Sequence, residues 1–194
     1  MIELLAITDD PGAPPPPLRL VPAGPVGVLV GPAPEGEVDA EALWSRESLL
    51  EDLMDERALL PIRYGTRVED DAAAAAAVEP RGPELAAALD RVRGAVEVSV
   101  RAVAREAEHV GAAKAAQEGD APPAAVGAVH ARLAGLAREH ARHDGPESLR
   151  AAYLVDRGTV DGFVAAVREL QQEHRGLSIL CTGPWPPYSF AEPR

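Results

Sequence analysis

An α+β chain of two domains, residues 1–93 and 94–182, is what the sequence predicts, and a proline- and aromatic-rich tail at 183–194 closes it. Three observations lead to that reading. Short apolar runs punctuated by proline and glycine open the chain, which suits strands and loops and not helices. Further along, helical periods of apolar residues alternate with strand-like runs. The tail, Gly183-Pro184-Trp185-Pro186-Pro187-Tyr188-Ser189-Phe190, gathers three of the 19 prolines and one of the two tryptophans. Each of its prolines fixes φ and keeps the preceding residue extended, so the segment is stiff before it meets anything.

In the first domain Met1 to Ile7 reads as a strand that breaks at Asp9-Asp10-Pro11-Gly12. Pro14 to Pro17 reads as a surface polyproline II connector. Leu18 to Val21 and Val26 to Val30 read as two further strands, the second with so few polar residues that both faces are buried. From Val38 to Arg57 the period becomes helical. Leu43, Leu50, Leu53 and Met54 share one side, Trp44 stands at its border as core, and acids crowd the outer face. Ala58 to Thr66 reads as a buried strand ending in a polar turn, with Pro61 at an edge and Gly65 at a close approach or positive φ. Arg63 beside Tyr64 reads as partly buried and paired with Glu69, Asp70 or Asp71, in preference to a role in anion recognition. An alanine-rich helix from Glu69 to Val78 ends at Pro80, and a short helix over 83–91 precedes a boundary near Gly94.

The second domain opens on a clean alternation. Val96, Val98 and Val100 face one way and Glu97, Ser99 and Arg101 the other, which predicts a half-buried strand. Arg105 to Ala116 is helix-prone, and Gln117 to Pro123 is a polar break. Val126, Val129, Leu133 and Leu136 predict a helix to about His143. His140 and His143 lack a metal-binding pattern and read as helix-end residues. A strand around Ala151 to Val155 and a turn with Thr159 as N-cap come next. The helix that follows has Val160, Phe163, Val164, Val167 and Leu170 on one face, and a final strand runs from Leu177 to Thr182. Helices alternating with strands in this order suit a ferredoxin-like α+β domain. One strand of a full βαββαβ set is missing from the pattern, so a modified form is expected.

Composition excludes several function classes. A net charge of −12 and a pI near 4.8 oppose nucleic-acid binding, which needs a basic stripe, and oppose anionic membranes. No apolar stretch reaches membrane-spanning length, no basic-then-apolar leader opens the chain, and the lone Cys181 suits a reducing cytoplasm. Cys181 falls in an expected buried strand, where a thiol is inert. No phosphate loop, nucleophile elbow or zinc spacing occurs, so neither catalysis nor a cofactor is expected.

Three segments together carry a resemblance that covers almost the whole chain. Leu60-Pro61-Ile62-Arg63-Tyr64-Gly65-Thr66 resembles the LPVRFGT motif of the gas vesicle protein F and L family. Ala152-Tyr153-Leu154-Val155 resembles its AYLV segment, and residues 183–190 resemble its terminal GPWPPYSF signature. Arg46 stands where that family commonly carries histidine, and Tyr64 stands for phenylalanine. The resemblance implies a cytoplasmic, non-catalytic accessory protein of gas vesicle assembly, with two α+β domains, the second ferredoxin-like in a modified form. Its implied partners are the hydrophobic major shell protein and other vesicle accessory proteins, during nucleation or growth. The motif residues Pro61, Arg63, Tyr64, Gly65, Thr66, Tyr153, Gly183, Pro184, Trp185, Pro186, Pro187, Tyr188 and Phe190 are then structural or partner-binding. The tail either straps the domains together or meets the partner. A ferredoxin-like domain that binds a small regulatory molecule is the other reading.

Overall fold

The leucine- and valine-rich runs at the start of the chain pair into one sheet, because each strand's amide groups need partners once its side chains leave water. A computed structural model describes residues 1–33, 40–105, 122–143 and 148–192. It divides into two units, Met1–Gly94 with Trp185–Arg194, and Ala95–Pro184.

In the first unit β1 (Ile2–Thr8) lies at the centre. On one side it pairs antiparallel with β3 (Val26–Pro32), which pairs in turn with β2 (Arg19–Ala23). The β2–β3 turn is Gly24-Pro25, with Gly24 at φ +68°, a conformation that favours glycine in a tight hairpin. Strand β3 is buried on both faces from Val26 to Gly31. Pro16 and Pro17 form a turn, with the Leu18 amide bonded to the Pro15 carbonyl, and Pro14 to Pro17 is not the continuous polyproline II segment expected.

On its other side β1 pairs with two short pieces, β4 (Leu60–Pro61) and β5 (Arg67–Val68). The expected strand over 58–66 therefore shrinks to two ladder residues, and the chain bows out between β4 and β5. Helix α1 (Ala40–Glu56) precedes β4. Helix α2 (Asp71–Val78) starts at Asp70, whose carboxylate accepts the Ala73 amide at 2.9 Å. Helix α3 (Gly82–Val92) buries Leu85, Leu89 and Val92.

The second unit runs β6 (Ala95–Ala104), α4 (Pro122–Ala134), β7 (Glu139–Arg142), β8 (Ser148–Asp156), α5 (Val160–Glu173) and β9 (Leu177–Trp185). Its sheet order is β7-β8-β6-β9, with β8 antiparallel to both β6 and β7. The expected helix to His143 stops at Ala134, where the Gly135 amide caps the last turn on the Ala131 carbonyl. Glu139-His140-Ala141-Arg142 forms β7, the strand missing from the sequence pattern. It has no β-branched residue, and its pairing with Ala151–Leu154 overrides weak local preference. The helix expected over 105–116 and the break after it lie outside the described residues, Arg105, Pro122 and Pro123 apart.

The alternation in β6 holds only toward its end. Glu97 is 6% exposed, so the strand's first half is buried on both faces, and of Glu97, Ser99 and Arg101 only Arg101 is exposed. Strand β9 is a sheet edge, and Cys181 on it is half-buried where a fully buried position was expected. Partial burial still pushes its thiol pKa up, which lowers its reactivity.

Phe163 of α5 is the aromatic centre of this unit, 1% exposed with its ring 5.3 Å from that of Tyr153. Phe163→Ala leaves a cavity that packed neighbours cannot fill, and should cost about 3–5 kcal/mol. Thermal unfolding followed by circular dichroism should shift to clearly lower temperature.

Candidate functional site

The buried face of α1 carries Arg46 together with Leu50, Leu53 and Met54. These positions recur at i, i+4, i+7 and i+8, so the guanidinium occupies a core position in an apolar stripe. Its partner is Glu3 of β1, with Nη1 donating to Oε1 at 2.7 Å and both side chains under a tenth exposed. Nη2 donates to the carbonyls of Ile62 at 2.6 Å and Leu5 at 3.2 Å. The same Glu3 oxygen accepts the Gly65 amide at 2.9 Å. The guanidinium carbon also lies 5.4 Å from the centre of the Tyr64 ring, within cation–π range.

This pair accounts for the bowed segment between β4 and β5. The β1 register shifts between Leu4 and Ala6, which turns carbonyls toward α1. Arginine supplies donors to several of them at once, as lysine's compact charge would not. Gly65 sits at φ +77°, where a side chain is disfavoured, and points its amide at Glu3. The Thr66 hydroxyl donates to the Arg63 carbonyl at 2.7 Å and closes the turn.

Arg63 itself is exposed, and its side chain makes no ion pair among the described residues. The expected burial and pairing of Arg63 belong to Arg46. Ile62 and Thr66 still bond to Leu5 and Leu4 of β1, and the chain bulges away between them, so the Arg63 side chain turns to water.

The tail docks on this same unit. Pro186 and Pro187 are buried and Phe190 is 2% exposed. A single turn of 3-10 helix, Tyr188–Phe190, packs beside β4. Arg91 of α3 donates from Nη2 to the carbonyls of Phe190 at 2.7 Å and Glu192 at 3.1 Å. The Tyr188 hydroxyl donates to Glu47 of α1 at 3.1 Å. Gly183 and Pro184 are still part of β9, so the tail that belongs to the first unit starts at Trp185.

Burial and the Glu47 carboxylate push the Tyr188 phenol up to about 12, because both disfavour a phenolate.

Outward of this docked tail lies a shallow groove of about 270 Å³, lined by Ala40, Leu43, Trp44, Glu47 and Trp185. Trp44 is 66% exposed and Leu43 46%, although helical periodicity assigned both to the core or its border. For Trp44 the reason is Arg46: two residues turn a helix by about 200°, so Trp44 must face away once Arg46 faces in. Both tryptophans of the chain line this groove.

Pro61, Tyr64, Gly65 and Thr66 thus gather with Trp185, Pro186, Pro187, Tyr188 and Phe190 in one unit. Tyr153 belongs to the other unit. It is fully buried, its hydroxyl lies 2.9 Å from His130 Nδ1, and His140 pairs opposite it across β7 and β8. Sequence reasoning missed Glu3, Arg46 and Arg91. The signal for Arg46 was a charge at a core spacing of an otherwise apolar stripe. Among the described residues, no three His, Cys, Asp or Glu side chains gather as metal ligands, and no helix is long and apolar enough to cross a membrane.

Comparison with known proteins bears on this arrangement. The family described as gas vesicle synthesis protein GvpL/GvpF matches residues 4–125 and 123–192. Gas vesicle protein F of Streptomyces sp. (strain CB03234) is 30% identical over 93% of this chain and 90% of its own length. Gas vesicle protein L of the same strain is 27% identical over 90% of this chain and 83% of its own. Crystal structures of GvpF from Microcystis aeruginosa and Anabaena sp. PCC7120 share the fold. Their TM-scores are 0.77 and 0.76, at 17% and 18% identity, with 98% of each chain covered.

Three outcomes are expected. Arg46→Ala strands the Glu3 carboxylate in the interior and should cost about 3–5 kcal/mol in urea denaturation. The Arg46→Met, Glu3→Met double variant should recover part of that loss, while the carbonyls of Leu5 and Ile62 stay without their donor. For Tyr188, the folded protein keeps the phenol's proton above the ordinary pKa of about 10, so this residue's contribution to stability is complete below pH 10. It falls as pH rises toward 12. In Tyr188→Phe, unfolding midpoints measured across that window should lose this part of the decline.

Proposed function

The chain belongs to the gas vesicle synthesis protein GvpL/GvpF family, and from that premise we propose that it is an accessory protein of gas vesicle assembly. In this reading it acts in the cytoplasm and holds the hydrophobic major shell protein, with other vesicle accessory proteins, while the shell nucleates or grows. The observation that carries the reading is the exposed apolar groove of Leu43, Trp44 and Trp185 beside the docked tail. An exposed Trp44 and Leu43 beside a half-buried Trp185, on an otherwise acidic surface, mark a contact for an apolar partner. The net charge of −12 keeps such a carrier soluble while it holds an aggregation-prone subunit.

The role is one of binding and not of turnover. The tail contributes twice: Pro186, Pro187 and Phe190 tie it down, and Trp185 faces the partner. The second unit is a ferredoxin-like domain. Its strand order β7-β8-β6-β9 and its β-α-β-β-α-β succession support that assignment, and with it the two-domain plan.

Co-purification tests the proposal. The tagged full chain, co-expressed with the major shell protein of the same organism, should retain it through washing and keep it out of the pellet. A shell protein that elutes and aggregates identically with and without the chain would overturn it.

A further inference from the structure

We propose that the groove of Leu43, Trp44 and Trp185 is a docking site for a cationic amphipathic helix of the partner. The inference rests on the assembly reading and adds the chemistry of what is held. The groove is shallow and open at about 270 Å³, at or below the roughly 300–1,000 Å³ of pockets that enclose small ligands. An apolar floor along one face of a helix suits another helix laid into it, with its own apolar side chains spaced by turns.

Charge selects the kind of helix. The outward side of α1 carries Glu41, Glu47, Glu51, Asp52, Asp55 and Glu56. Its one basic residue, Arg46, is buried and paired with Glu3, so it neutralises nothing at the surface. Glu41, Trp44, Glu47 and Glu51 follow at spacings of 3, 3 and 4, one stripe of α1 of which Trp44 and Glu47 line the groove. An acidic or neutral partner helix would meet this border without compensation. One edged with lysine or arginine gains attraction on approach and correct orientation once seated.

The two tryptophans make the site directly readable, since the whole intrinsic indole emission comes from its walls. The full chain is titrated with a synthetic leucine–lysine amphipathic helical peptide, and separately with its leucine–glutamate counterpart. The expected result is a saturable blue shift with the lysine peptide alone, weakened as salt shortens the screening length to about 3 Å at 1 M. Trp44→Ala, at an exposed position, should bind about tenfold more weakly with unchanged thermal unfolding. Glu41→Lys with Glu51→Lys should weaken the lysine peptide and admit the glutamate one. Equal binding of both peptides, or of neither, overturns the proposal. A final arm adds the lysine peptide to the complex with the shell protein. Displacement supports the shared site; a captured shell protein that is not displaced overturns the groove assignment and leaves the assembly role standing. Peptide binding without any shell protein capture does the reverse.

Discussion

A buried ion pair between Arg46 and Glu3 is the constraint on which the first unit depends. Moving two charges out of water costs several kcal/mol each, and their attraction alone does not reliably offset it. Here additional hydrogen bonds share the burden: Arg46 also serves the carbonyls of Leu5 and Ile62, and Glu3 also accepts the Gly65 amide. An apolar replacement of the pair would leave those backbone groups buried without partners, a penalty of about 1–3 kcal/mol each. The pair therefore specifies one geometry for three segments, β1, α1 and the turn before β5, and its worth lies in that selection more than in net stability.

Helix rotation transmits the constraint outward. With Arg46 held inward, the acidic residues and Trp44 have only the solvent side to occupy. The Tyr188 hydroxyl then meets Glu47 on the flank of α1, and Arg91 holds the tail's carbonyls from α3. The tail is fixed by proline burial and by the hydrogen bonds of Arg91 and Tyr188, and the ring of Trp185 is set beside α1. Rigid aromatic groups lose little conformational entropy on contact, which is why a partner site is well built from them.

The second unit solves a different problem. Its β7 strand, a run of glutamate, histidine, alanine and arginine, would not be a strand in isolation. It exists because β8 offers an unpaired edge and because Gly135 ends α4 in time for the chain to return. Tyr153 on β8 reaches His130 on α4 and Phe163 on α5, so one aromatic side chain ties the sheet to both helices. Its place in a family motif is a packing role within that unit.

Local pattern was enough for much of this molecule. The unbroken apolar run of β3, the valine and phenylalanine face of α5 and the proline-dense tail each state their structure within a few residues, because burial periodicity and φ restriction are short-range. The strap-like docking of residues 185–192, the inward turn of Arg46 and the existence of β7 were not legible in that way. Arg46 finds Glu3 43 positions away, and Tyr188 finds Glu47 141 positions away. A charge or a weak strand takes its conformation from the partner that satisfies it, and only the folded chain brings that partner near.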